Sequence, residues 1–135
     1  MEIIYRSDVI ITAQQFIDLL KRSTLDQRRP VDDKNRIEKM LAHGNVLITA
    51  WLGEQLVGVS RALTDFSFCC YLSDLAVDET YQHRGIGKKL VYLTHEAAGD
   101  KTMLILLAAP AATTYYPKIG MEKFDHCFVI KRKIN

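Results

Sequence analysis

Cysteine is scarce in this chain and poorly spaced for structural use: only three of the 135 residues are cysteine, and Cys69 and Cys70 are adjacent. That excludes a disulfide framework and favours a reducing, cytoplasmic setting. The cysteines also lack the paired spacing of a zinc site, and His43, His83, His95 and His126 form no ligand cluster, so no metal is expected. A strong charge of one sign is missing too. The formal net charge of +2 is too small to argue for a nucleic-acid partner. No apolar run is long enough to cross a bilayer, and the N-terminus has no basic segment followed by an apolar stretch. Neither a membrane nor a secretory route is therefore expected. Repeats, low-complexity tracts and linkers are also absent. What remains is one domain over residues 1–135, long enough to bury a core. Its 48% hydrophobic and 25% charged content is that of an ordinary globular protein.

Local signals divide the chain into elements. Glu2 to Arg6 reads as a short strand. Thr12 and Gln15 have the spacing of a capping box, and Ala13, Phe16, Ile17 and Leu20 then share a helical face. Ser23 to Pro30 reads as a loop. Asp32 or Asp33 can cap a second helix, with Ile37, Met40 and Leu41 inward and Gly44 as its terminator. Val46–Leu52 and Gln55–Thr64 are strands joined by Gly53-Glu54, a pair suited to a two-residue hairpin turn. Asp65-Phe66-Ser67 is a weaker turn signal before a strand over Phe68–Val77. A helix from Gly85 carries Ile86, Leu90, Leu93 and Ala97 at helical spacing and ends at Gly99-Asp100. Met103–Ala109 is a continuous apolar run, which predicts a strand buried on both faces. Pro110 breaks it, a short helix is expected over Ala111–Ile119 with Gly120 as its cap, and Phe128–Lys131 reads as a last strand. An antiparallel meander followed by strand, helix and strand implies a mixed α/β (α+β) sheet with one parallel pair and a right-handed crossover.

The most informative stretch runs from Val77 to Lys89. A helix start leaves its first N–H groups without intrahelical partners and carries the positive end of the macrodipole. Gly85 and Gly87 let a ligand approach the main chain there without meeting a Cβ. The result is a site for phosphate or pyrophosphate, with Arg84, Lys88 and Lys89 adding charge. A dinucleotide fingerprint needs a small residue three positions after the second glycine, where Leu90 stands, and a Walker loop needs Gly-Lys-Ser/Thr.

Gln82-His83-Arg84-Gly85-Ile86-Gly87 resembles the acetyl-coenzyme A signature of the GNAT N-acetyltransferases, Gln/Arg-x-x-Gly-x-Gly/Ala. The order of elements agrees over nearly the whole length. Tyr116-Pro117-Lys118-Ile119-Gly120 is similar to the Tyr-x-x-x-Gly segment that ends the family's last helix. The resemblance implies acetyl-CoA as co-substrate and a sheet whose parallel pair is splayed to admit it, with helices on both faces. Amides from Arg84 through Gly85, Ile86 and Gly87 to Lys88 would hold the pyrophosphate, and Gln82 and His83 would line the approach. The pantetheine arm would run along Leu75, Ala76 and Val77 as an added strand does. The Leu75 amide would stabilise the oxyanion formed when a neutral amine attacks the thioester. Tyr116 would be the acid for the departing thiolate, since a phenol is protonated at neutral pH, and Tyr115 would pack.

The base stays open between Asp74, Asp65, Tyr71 and a water chain. The family's usual Asn is replaced by Ala109 and Pro110, its usual Phe after the last Gly by Met121, and Pro117 lacks the N–H a helix interior needs. Cys69-Cys70 sit mid-strand without an adjacent His, which argues against a cysteine nucleophile. Lys131-Arg132-Lys133 reads as a solvated end rather than a nucleic-acid patch. The expected activity is direct acetyl transfer to a primary amine, a small molecule in the first instance. A protein lysine or N-terminal amine is the alternative acceptor, and a non-catalytic coenzyme sensor the alternative class. The family also makes a homodimer a reasonable expectation.

Overall fold

The computed structural model of the protein describes residues 2–135. Among them five strands form one sheet in sequence order: β1 (Ile4–Arg6), β2 (Val46–Leu52), β3 (Gln55–Thr64), β4 (Cys69–Val77) and β5 (Met103–Ile105). Neighbours run antiparallel except β4 and β5, which are parallel. Helices α1 (Ala13–Ser23) and α2 (Lys34–His43) lie between β1 and β2 in the chain, α3 (Ile86–Ala98) between β4 and β5, and α4 (Tyr115–Lys118) after β5.

Each face of the sheet has its own core. On one, Phe16, Leu19, Leu20 and Ile37 from α1 and α2 pack against Leu56, Val59 and Ala76. On the other, Ile86, Leu90 and Val91 from α3 pack against Ile48, Val57 and Leu72. The local signals explain most element ends. Thr12 and Gln15 form the full capping box of α1, and Asp33, not Asp32, caps α2 by accepting from the Arg36 amide. Gly53 turns with φ +59 between β2 and β3.

Asp65 organises the next turn, accepting from the amides of Ser67, Phe68 and Cys69. These amide bonds hold its carboxyl at about 2, against the ordinary 3.8. The folded value lies below the unfolded one, so this turn's contribution to stability is full above 3.8 and is lost as pH falls through about 2. Asp65→Asn should therefore flatten the acid dependence of stability in that window. Urea melts of both proteins at several pH values would show it; equal slopes would refute the assignment.

Several expectations need correction. Gly44 does not end α2 through a left-handed residue, since its φ is −80°. It is small because an added Cβ would sit 2.8 Å from Cγ of Arg61. The inward stripe of α3 passes through Thr94 and Ala98, and Ala97 is exposed. Thr94 fits this stripe because its hydroxyl bonds to the Leu90 carbonyl and to Ser60. β5 stops at Ile105 and is not buried on both faces: Met103 and Ile105 are about half exposed. It is the edge strand, and its one recorded partner is β4. Phe128–Lys131 forms no strand and is exposed. With no strand beside it, β-propensity alone does not hold a segment extended. The predicted last helix is a 3₁₀ turn, Pro110–Ala112, followed by the single turn of α4, where Pro117 falls within the first turn and its missing N–H costs nothing.

Candidate active site

A β-bulge positions the site. On β3, Arg61 faces Asp74 and Ala62 faces Leu72, so Ser73 is the extra residue on β4. Bulges bend a strand and end its regular pairing. Here β5 pairs with Cys69, Cys70 and Tyr71, just before the bulge, and no further. Beyond it Asp78 donates to the Val57 carbonyl, so by antiparallel alternation Asp74 and Ala76 also turn their main-chain groups toward β3. Those of Leu75 and Val77 turn the other way, where β5 no longer follows. The Val77 carbonyl is taken by the Gln82 side chain at 3.0 Å.

The splay opens a cavity of about 600 Å³ lined by Leu75, Ala76, Val77 and Gln82 on one side and Leu106, Leu107, Ala109 and Tyr116 on the other. Tyr116 thus shares a cavity with Leu75, as the motif implies. Burial, and then the neighbouring Tyr115, push its phenol above the ordinary value of 10.0, so it stays protonated at neutral pH. The rings of Tyr115 and Tyr116 meet edge to face at 5.1 Å. A hydrogen bond of 2.7 Å from the Tyr92 hydroxyl to the Ile119 carbonyl ties the end of α4 to α3.

The glycine corner lies next to this cavity. His83 (φ +66) and Gly85 (φ +82) are both left-handed, a turn geometry that gathers successive N–H groups into a concavity for an anion. Gly85 is the N-cap of α3 and supplies no side-chain acceptor. Ile86 is buried, so only its main chain faces a ligand. His83, Arg84 and Lys88 are exposed. Arg84 lies over the Tyr81 ring at 5.4 Å, and Lys89 leans 6.0 Å over Tyr5. Tyr115 does more than pack: its hydroxyl lies 2.7 Å from where a Cβ on Gly87 would be. Burial raises the Tyr115 phenol, while the Lys88 amide acts in the opposite direction. The sequence holds no signal for this contact, which brings together residues on α3 and α4.

Of the candidate bases, Asp74 is fully buried, with one oxygen paired to Arg29 Nε and the other to Arg61 Nε. Arg29 also donates to the carbonyl of the bulged Ser73 at 2.6 Å, and Arg61 to the Met40 carbonyl at 2.9 Å. Asp65 is spent on its turn amides. Tyr71 pairs with Ile105, in the stretch where the strands have not yet parted. Cys70 is buried, which pushes its thiol up and away from a reactive thiolate. Among the described residues no group of three or more His, Cys, Asp or Glu gathers as for a metal ion, and no helix is long and apolar enough to cross a membrane.

Residues 13–121 match the Acetyltransferase (GNAT) family. Solved structures of similar shape include a GNAT-family acetyltransferase from Streptococcus pneumoniae, with 20% identity over 99% of this chain and 100% of that one and a TM-score of 0.73. An acetyltransferase from Trypanosoma brucei has 19% identity over 97% of this chain and 100% of that one, with a TM-score of 0.71. The PaiA N-acetyltransferase from Thermoplasma acidophilum, solved with coenzyme A, has 17% identity over 93% of this chain and 92% of that one, also at 0.71.

Proposed function

Because the chain belongs to the GNAT acetyltransferase family, its reaction is acetyl transfer from acetyl-CoA, and we propose that it is an N-acetyltransferase passing the acetyl group directly to a small primary amine. The observation that carries this reading is the splay of β4 from β5, which leaves the main chain of Leu75 and the amide of Val77 without a strand partner beside Tyr116.

The residues fit the donor. At one end, among the described residues, the Ile86 and Gly87 amides have no protein acceptor, and the Lys88 amide is directed at the Tyr115 hydroxyl. Each hydrogen bond to a charged group is worth about 1.5–3 kcal/mol net, so a few of them account for most of a micromolar affinity. Along the cavity, the open main chain of β4 receives an amide-bearing arm as it would a strand. Ala109 contributes no side-chain hydrogen bond there, and its carbonyl is occupied by the Ala112 amide. When bound, acetyl-CoA supplies an acyl group already activated as a thioester. The chain then holds that carbonyl against the Leu75 amide, which donates as negative charge develops on its oxygen. The Tyr116 hydroxyl donates to the departing sulfur. With Asp74 and Asp65 committed elsewhere, water receives the ammonium's proton.

Acetyl-CoA at a hundred times its Kd should stabilise the protein by about 2.7 kcal/mol, read as a rise in melting temperature. Gly87→Val should abolish that rise while circular dichroism still reports a folded protein, because a side chain there covers the corner amides. No shift with the native protein would overturn the proposal, and so would an undiminished shift with the variant.

A further inference from the structure

The cavity has two unlike ends. Near Val77 it meets the glycine corner. Near Ser73 it meets the turn Leu25–Arg28, which sets Gln27, Arg28 and Arg29 along its wall. Four residue steps along β4, from Ser73 to Val77, separate the two ends, about 13 Å of strand. The second end therefore lies away from the donor's phosphates, where the acceptor must enter.

That end is electropositive. Among the described residues no Asp or Glu lines the cavity. Beneath it, Asp74 is shared between Arg29 and Arg61. Two guanidinium groups, Arg28 and Arg29, line the wall itself; with the residues beneath and beside it counted alike, Arg28, Arg29 and Arg61 stand against Asp74 and Asp26. Asp26 belongs to the same turn but not to the cavity wall, and Asp78 is taken by Arg22 at 2.7 Å. Each nitrogen of Arg29 already donates once: Nε to Asp74, Nη2 to the Ser73 carbonyl and Nη1 to the Arg28 carbonyl. Arg28 is exposed, and among the described residues it has no ionic partner.

We propose that the acceptor is a small amine that also carries an anionic group, a carboxylate or a phosphate, and that Arg28 holds this group. A guanidinium presents parallel N–H donors that match both anions. The surplus positive charge repels polyamines and lysine-rich peptides. It also favours the neutral form of the nearby amine over its ammonium, which eases deprotonation where no free carboxylate serves as base. The inference rests on the acetyltransferase reading and narrows it to a substrate class.

The test follows thiol release from acetyl-CoA with three sets of amines: glycine, aspartate and phosphoethanolamine; the neutral-headed ethanolamine; and spermidine with a lysine-rich peptide. The anion-bearing set should show the highest kcat/KM, with the better of carboxylate and phosphate identifying the anion. Arg28→Gln should raise KM for the best of them about tenfold, leaving KM for acetyl-CoA as it was, and Arg28→Glu should shift preference toward spermidine. Faster transfer to ethanolamine or spermidine by the native protein would overturn the inference and leave the acetyltransferase reading intact. So would acetyl-CoA binding without transfer to any anion-bearing amine, or an Arg28→Gln variant with unchanged KM. Failure to bind acetyl-CoA at all would instead overturn the broader proposal.

Discussion

Asp74→Asn is expected to cost about 3–5 kcal/mol of folding stability, the usual result of breaking a buried ion pair from one side. Against a total of about 5–15 kcal/mol for a domain of ordinary stability, the variant would be close to unfolding at physiological temperature. The reason is geometric. The Asp74 side chain is fully buried, Arg61 is 8% exposed and Arg29 21%. With the carboxylate removed, both guanidinium groups keep their desolvation cost and lose the charge that offsets it. An Asn amide would moreover direct a donor toward a group that has only donors. The same cluster joins four parts of the chain. Arg29 comes from the turn after α1, Arg61 from β3 and Asp74 from β4, while the Met40 carbonyl that receives Arg61 lies in α2. Loss of Asp74 should thus loosen the acceptor wall together with the bulge. A chemical denaturation midpoint measures the effect. The alternative role of Asp74, as the base that deprotonates the amine, predicts the reverse pattern: normal stability and a collapsed kcat. That outcome would refute the structural assignment.

Asp74 also marks where reading the sequence stops. Its place on a strand beside Leu75 is legible from alternation, and on that basis it qualifies as a base. Its two partners lie 45 and 13 positions away, and no local pattern announces them. Features carried by short-range chemistry are recovered well: the Thr12–Gln15 box, the Gly53 hairpin, and the Gly85 cap with its unpartnered amides. These require only a few residues to agree on one backbone geometry. The bulge at Ser73 is different. It depends on how β3 and β4 register, and a single strand carries no mark of it. Without the bulge, Asp74 and Ala76 would be placed on the wrong face relative to Cys70 and Leu72. The apolar run after Thr102 misleads for a related reason. Composition shows that Leu104 and Leu106 need cover, and both are partly buried against the α3 core. It does not show that pairing ends at Ile105, which is set by the bulge across the cleft. Thr94 is the converse case, a polar residue inside an apolar stripe, made possible by a carbonyl one turn back in the helix and a serine on β3.

Tyr116→Phe should lower kcat by about 10²–10⁴-fold, the range typical of a lost general acid, while KM for acetyl-CoA and the acetyl-CoA-induced rise in melting temperature persist. Stability should change little, because among the described residues the Tyr116 hydroxyl makes no hydrogen bond that the substitution would break, and the ring that packs against the core is kept. Equilibrium acidity alone would not select a phenol for this task. A thiol titrates at about 8.5 and an unperturbed phenol at about 10, and burial raises Tyr116 further. Full transfer to a free thiolate would therefore run uphill. The hydroxyl acts earlier, as the carbon–sulfur bond breaks and charge gathers on sulfur, where a donor already in place costs no reorganisation at the moment of reaction. The raised phenol has a further consequence. The donor form persists through neutral and mildly alkaline pH, so the native rate should climb with pH as the amine loses its proton, and fall only beyond the ordinary phenol value of 10.0. The Phe variant should keep the climb and lose the fall. A pH–rate profile on both proteins with a saturating amine checks this, and equal kcat across the range would remove Tyr116 from the chemistry.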